Sequence, residues 1–422
     1  MRINVVNNKK KLFIVTQTYP YGEDEKTFIE PELECLLKSE VFDITIISSA
    51  PKNSKQVIEV ADELTIEWFE NESILKSPIK VIANIFKYFF TNETKEERVE
   101  IWREDKKIGK YIESLFFYIR SQFFWDGIKQ KKEEFRDSII YTYWCNTETL
   151  AIAFHKSEMS NVKLVSRIHG YDLYDERTVY GRQPFRKIID MQLDKLFFIA
   201  QTGKDYYVNK MGETSRYLLS RLGTKNNFLL EELEGKQKKH SSFLMVSCSN
   251  IIPLKRIELI IDALSEIDNL EIEWVHFGDG ALRCSIEERA QEKLQHKGNI
   301  TYSFMGQVNN EEILSYYKNN LVDCFITTSE TEGCPVTIQE AMSYGIPIIG
   351  TAVGEIPLMI DGNGVLLNNN PTIEEIARAI QFISDMPEIQ RHNMRYTSRK
   401  LWEKYFNAKI NHQQFVKALV EL

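Results

Sequence analysis

The chain reads as an α/β protein of two parallel-sheet domains, and three observations carry that reading. At 422 residues it is too long for one compact core and suits two domains of about two hundred residues each. Strand, helix and second strand follow one another within 12–48 and again within 322–351, the signature of βαβ units. The composition, 43% hydrophobic and 27% charged, is that of an ordinary globular protein, and no internal repeat or low-complexity segment interrupts it.

Composition also excludes. A formal net charge of -8 argues against nucleic acid as the main partner. No apolar run reaches membrane-spanning length, and Lys9, Lys10 and Lys11 precede a run far too short for the apolar region of a signal peptide. Cys35, Cys145, Cys248, Cys284, Cys324 and Cys334 show neither ligand spacing nor a paired rhythm and read as free thiols of a reducing cytoplasm. No His or Cys cluster has metal-ligand spacing and no strand-bounded Asp-x-Asp appears, so neither a metal nor a cofactor is expected.

In chain order, 12–16 is a buried strand, followed by a turn that contains Gly22. The spacing predicts a helix over 27–39 that buries Phe28, Leu33, Leu36 and Leu37, then a strand over 42–48. From 74 to 135 the α/β rhythm lapses. Ile79, Ile82, Phe86, Phe89 and Phe90 form one helical stripe; Ile101, Ile108, Ile112, Leu115, Phe116, Ile119 and Phe123 form a longer one. Two readings stand: a surface that meets anionic membrane, or, as apolar stripes usually do, a helix pair buried on the sheet; the second is preferred. Strands at 139–144 and 163–168 follow, and the latter ends at His169-Gly170-Tyr171-Asp172, where an open sheet presents ligand residues. The first domain closes near residue 223, and the polar run 224–242 reads as a linker.

The second domain is expected over 243–395. A strand at 243–247 leads through Ser249 and Asn250 to Lys255 and Arg256 at the start of a helix, where a cation can reach a phosphate. A strand at 273–277 precedes Gly278 and Gly280, read as turn residues, and another at 300–305 precedes Gly306. The central stretch then runs from a buried strand through a polar turn to Gly333, Cys334 and Pro335, which opens a helix. The amides of Val336 and Thr337 at that helix start are a seat for phosphate, flanked by Glu332 and Glu340. Carboxylates on both sides of an anion seat suit a ligand with hydroxyl-rich groups at both ends of a diphosphate.

The string S-E-T-E-G-C-P-V-T-I-Q-E-A-M-S-Y-G-I-P-I-I-G resembles the Glu-x7-Glu signature of family 4 retaining glycosyltransferases, or glycosyl transferases group 1. The resemblance implies the GT-B fold, two Rossmann-like domains facing each other across a cleft, with a C-terminal helix over 396–422 returning to the first. It implies His169, Lys255 and Glu332 as catalytic residues. It implies donor contacts from Gly22, Asn250, Lys255, Arg256, Gly306, Glu332, Gly333, Cys334, Pro335, Val336, Thr337 and Glu340. Its partners are a nucleotide-sugar, UDP-linked first and GDP-mannose second, and a glycan or lipid-linked acceptor of surface polysaccharide synthesis. The implied place is the cytoplasm, with peripheral contact at the inner membrane face as the sharper reading of 74–135. Four places depart from the pattern: Glu23 beside Gly22 in place of a Gly-Gly pair, Ser249 and Asn250 where the family usually has Arg, Glu355 for a Gly near the sugar pocket, and Leu358 where Glu is usual. These departures carry the alternative, a non-catalytic partner on the same fold that binds nucleotide-sugar or glycan and stabilises a true transferase.

Overall fold

The computed structural model describes residues 9–50, 54–68, 74–229, 232 and 242–422. It forms two compact units, Met1–Arg221 with Lys409–Leu422, and Leu222–Ala408.

The first unit runs β1 (Lys10–Thr16), α1 (Lys26–Lys38), β2 (Phe42–Ser48), β3 (Thr65–Trp68), α2 (Pro78–Phe90), α3 (Lys95–Glu104), α4 (Ile108–Ile128), β4 (Ser138–Thr142), α5 (Thr147–His155), β5 (Lys163–Ile168), α6 (Gly170–Leu173), α7 (Arg186–Gln192), β6 (Lys195–Phe198), α8 (Gln201–Met211) and β7 (Tyr217–Leu219). Its strands form a parallel sheet of order β3-β2-β1-β4-β5-β6-β7. Parallel strands are covered on both faces, hence the near-continuous apolar runs LFIV in β1 and II in β2 and β4.

Three sequence expectations change here. In α1 the buried stripe is Ile29, Glu32, Leu33 and Leu36, while Phe28 is exposed and Leu37 half-buried. The inward face is rotated about one residue from the apolar count because a polar residue, Glu32, is drawn into the core by Arg167. Segment 74–135 contains three α-helices rather than two. The preferred burial of both stripes on the sheet fails for α2, where Ile79, Phe86 and Phe90 are 83%, 60% and 79% exposed. That helix turns Asn84 and Tyr88 inward. The Tyr88 ring meets those of Tyr118 and Phe185 at 5.9 and 6.4 Å. The second stripe divides: Ile119 and Phe123 are buried, whereas Ile108, Ile112 and Phe116 are exposed.

The second unit has strands β8 (Phe243–Cys248), β9 (Ile272–Phe277), β10 (Ile300–Phe304), β11 (Cys324–Thr327), β12 (Ile348–Thr351) and β13 (Gly364–Leu367), all parallel, in the order β10-β9-β8-β11-β12-β13. Helices Ile257–Ser265, Arg283–Leu294, Asn310–Asn319, Val336–Ser343 and Ile373–Ser384 connect or follow them.

Both expected domain edges move. The start of the supposed linker belongs to the second unit: Thr224 Oγ1 accepts a hydrogen bond from Trp402 Nε1 at 2.8 Å, and Phe228 is buried against Tyr344. The rest of it, 230–231 and 233–241, lies outside the described residues. The helix Glu388–Tyr405 also belongs to the second unit, so the chain re-enters the first at residue 409 rather than 396. The break is held by backbone bonds from Thr224 N to Phe406 O and from Ala408 N to Thr224 O, at 2.8 and 3.1 Å. Past it, in Ala408–Val420, Phe415 packs on Phe197 and Tyr141 of the first sheet at 4.7 and 5.1 Å.

Candidate active site

In the second unit the segments that leave the carboxyl ends of β8, β9, β10 and β11 surround a cavity of about 290 Å³. Asn250, Lys255, Glu332, Pro335, Val336 and Thr337 line it, as the sequence predicts. Pro335 is the N-cap of the helix Val336–Ser343 rather than its first residue. Its extended ψ of 121° turns the chain so that the next amides are the unpaired first-turn donors of that helix. Those amides and the Lys255 ammonium give one cavity the two usual ways of holding phosphate, oriented dipoles and a point charge.

Lys255 Nζ is 2.5 Å from Glu332 Oε1, with both side chains partly exposed. Cation and carboxylate therefore satisfy each other until an anion competes. Glu340 is 8% exposed, and Asn310 Nδ2 donates to its Oε1 at 2.7 Å. Burial holds the Glu340 carboxyl above the usual range, and the Asn310 bond opposes this. Cys248 lines the same cavity, its thiol pushed up to about 12 by burial and by the nearby Glu340 charge.

Close backbone approach shapes the walls. A Cβ on Gly278 would lie 1.9 Å from Ser249 O, and its φ of 137° is a glycine conformation. Gly278 therefore lines the cavity by necessity and is more than a turn residue. A Cβ on Gly354 would lie 2.1 Å from Glu332 O, whereas Gly333 has open space around it. The glycine that lets Glu332 take its place is Gly354.

In the first unit the segments after β1, β4 and β5 hold His169. Asp172 accepts hydrogen bonds from His169 N and Cys145 N, both at 2.6 Å, so it orients this turn. The Trp144 and Tyr143 rings lie 4.3 and 5.2 Å from the imidazole. His169 is 8% exposed, and neither ring nitrogen has a partner among the described residues. Burial, with the Arg167 charge behind it, lowers its pKa to about 3. A neutral, buried imidazole with unmet hydrogen-bonding capacity suits a ligand contact. Burial likewise raises Asp172 to about 6. After β1, Glu25 accepts from the amides of Gln17, Thr18 and Tyr19 and from Trp144 Nε1.

Residues 231–401 match the model of the family described as glycosyl transferases group 1. That match lies in the second unit. It is 25% identical over 264 residues to N-acetyl-alpha-D-glucosaminyl L-malate synthase of Bacillus anthracis, a match covering 59% of this chain and 65% of that protein. The matched region thus spans just under two thirds of that curated relative's length. Over 98% of its length this chain superposes on all of the lipopolysaccharide outer core galactosyltransferase WaaB, with a TM-score of 0.66 and 14% identity. It superposes similarly, at 0.60 and 14%, on Anabaena Alr3699/HepE in complex with UDP, covering 98% of this chain and 100% of that one. The fold is GT-B.

Several positions expected from the resemblance stand elsewhere in this chain. Arg256 does not line the cavity: its φ of 48° points the guanidinium to Thr328 O, Ser329 O and Asn369 O at 2.6, 3.0 and 2.9 Å. It ties the loops after β8, β11 and β13 together and does not replace the arginine missing at 249–250. Gly306 also stands off the lining. Its φ is 72°, and its carbonyl accepts from Gly278 N at 2.9 Å. Cys334 packs into the core and accepts from Gln339 Nε2 at 3.2 Å. Glu355 is fully buried and is not among the residues that line the cavity. Gly22 lies in the first unit, where a Cβ would crowd Thr18 at 2.9 Å. It shapes the turn capped by Glu25. Sequence reasoning missed Asn310, Phe277, Val308 and Ile313. An Asn309 N-cap marks where that helix starts, but nothing local pairs Asn310 with Glu340.

Proposed function

We propose that the chain transfers a glycosyl group from a UDP-sugar, with retained configuration, to a glycan or lipid-linked acceptor of surface polysaccharide synthesis. One observation carries this: Lys255, Glu332 and the first-turn amides of Val336 and Thr337 line one cavity at the carboxyl ends of a parallel sheet. In this reading the donor diphosphate takes Lys255 from Glu332 and sits on the amides. The released Glu332 carboxylate then accepts bonds from sugar hydroxyls, so donor binding assembles the site. Glu340, held by Asn310, receives the ribose diol. As the sugar–phosphate bond breaks, negative charge grows on the leaving group, where Lys255 and the amides stabilise it. His169 supplies a neutral imidazole to hydrogen-bond substrate. The UDP in the HepE complex and the N-acetylglucosaminyl group in the Bacillus anthracis relative's name make UDP-N-acetylglucosamine and UDP-glucose the donors to try first.

A membrane-surface contact belongs to the same reading. Its support is the exposed α2 stripe, flanked by Lys76, Lys80 and Lys87 with no acidic residue between 74 and 92. No helix of the described residues is long and apolar enough to cross a membrane.

The test is a melting scan with UDP, GDP, ADP and CMP, repeated on Lys255→Ala and Glu340→Ala. UDP at a hundredfold over its Kd should stabilise the wild type by about 2.7 kcal/mol, and both variants should lose most of that. A response equal for all nucleotides, or unchanged in the variants, sinks the donor assignment. The non-catalytic reading keeps one supporting observation: Lys255 is the single cation lining the cavity among the described residues. Stabilisation by UDP without release of UDP from either UDP-sugar, acceptor extracts included, would favour it.

A further inference from the structure

A second cavity, of about 450 Å³, lies wholly within the first unit, between α3, the α6 turn, α7 and α8. Five basic and three acidic side chains line it. Arg182 is paired with Glu97, Glu100 and Glu104, Lys187 with Glu96 and Glu100, and Lys210 with Asp175. Two guanidiniums remain. Neither Arg103 nor Arg186 has a carboxylate within ion-pair distance among the described residues. Arg186 donates to Cys145 Sγ at 2.9 Å and to the Asp172 carbonyl, yet its buried Nε has no partner. An unmet buried donor on Arg186 and the exposed Arg103 guanidinium, both lining a roomy cavity, describe an anion site.

Two further features bear on the ligand. Arg186 holds the Asp172 turn that carries His169, so the cavity is coupled to the candidate active site within one unit. Arg103 follows Trp102, which is 57% exposed with Lys106 Nζ over its ring at 4.3 Å, and α3 is continuous with the helices whose apolar side chains are uncovered. We propose that this cavity binds the phosphate group of the acceptor. A phosphate of charge about −2 matches the two unpaired guanidiniums, and fork-shaped donors suit its oxygens. The anion site stands on the cavity alone; its assignment to the acceptor rests on the transfer reading above. The phosphate can come from a lipid headgroup or from a soluble sugar phosphate.

Calorimetric titration of the full chain tests it, with inorganic phosphate, glucose 1-phosphate and glucose as probes. The Lys255→Ala background removes the donor cavity as a competing anion site. Both phosphates should bind and glucose should not. Arg103→Gln should weaken binding about tenfold, the loss expected for a charged hydrogen bond. Arg186→Lys should retain more affinity than Arg186→Gln, and UDP binding to the Arg103→Gln variant with Lys255 intact should be unchanged. If neither phosphate binds, or Arg103→Gln binds them as well as its parent, the site is overturned. Should Lys255→Ala alone abolish phosphate binding, the anion belongs to the second unit and the proposal also fails. UDP titration is a separate readout, so failure of the donor assignment is distinguishable. Flotation identifies the source. A larger loss for Arg103→Gln on phosphatidic acid than on phosphatidylglycerol vesicles of equal charge supports a lipid headgroup, and an effect confined to glucose 1-phosphate supports a soluble one.

Discussion

Both units place an open parallel sheet at their heart, and both gather polar residues at its carboxyl end, but they treat the free backbone amides there in opposite ways. In the first unit the chain's own carboxylates fill them: Glu25 caps the amides of 17–19, and Asp172 caps those of Cys145 and His169. In the second, the first-turn amides of Val336 and Thr337 face a cavity instead. One scaffold thus yields an end whose backbone amides are capped by its own carboxylates and an end whose amides are left for an anion. The cores do not share that division. The first unit buries an ion pair, Arg167 with Glu32, braced by Tyr141 Oη at 2.9 and 2.8 Å. The second buries one too, Arg395 with Asp323 at 3.4 Å, beside apolar packing around Trp274 and Trp402.

The largest expected effect breaks the first unit's buried pair. Arg167→Ala leaves Glu32 buried without its guanidinium, with only Tyr141 and the His412 ring at 3.5 Å beside it, which should cost about 3–5 kcal/mol in chemical denaturation. Response to UDP should survive at temperatures where the protein stays folded. A loss below about 1 kcal/mol would show the pair to be solvated.

Acid should sharpen the contrast at a smaller scale. His169 has a folded-state pKa of about 3, below its unfolded value of about 6.5, so the unfolded chain binds a proton that the folded chain excludes. Its contribution is complete above pH 6.5 and declines as pH falls toward 3. Asp172, raised to about 6, works the other way: the folded form takes up the proton first, which partly offsets the loss as pH drops from about 6 to 4. His169→Asn should therefore flatten the acid limb of stability measured from pH 7 to 5. An unchanged slope would mean that the imidazole protonates freely in the folded protein.

The smallest effect on stability comes from the α2 stripe. Because Phe86 and Phe90 are exposed and stack on each other at 5.9 Å, changing both to Ser should move folding stability by no more than about 0.5 kcal/mol. Flotation with anionic vesicles at low salt should nevertheless be lost. Equal flotation of variant and wild type would remove the membrane contact from the proposal.

The second unit was the more legible from sequence because its cavity is built by short local segments. Lys255 stands seven residues beyond the end of β8, and Glu332 directly precedes one helix start, so strand ends and a helix N-terminus are enough to bring these two together; Glu340 follows on that helix but is not among the lining residues. The first unit was less so. Spacing found β1, β2 and His169, but α5 was missed although Asn146 and Thr149 form its capping box. The fate of the α2 stripe was misjudged because periodicity marks an apolar face without saying what covers it.

What the sequence determined by itself was the α/β class, the paired parallel sheets and the residues around Glu332, since each follows from local pattern and turn chemistry. Only the tertiary structure decided that Arg256 ties loops together, that Gly354 rather than Gly333 gives Glu332 its room, and that Asn310 holds Glu340. It also decided that Glu32 lies in the core while Phe86 does not. Burial and pairing of this kind depend on which distant segment arrives opposite a side chain, and the local pattern of the chain carries no record of that arrival.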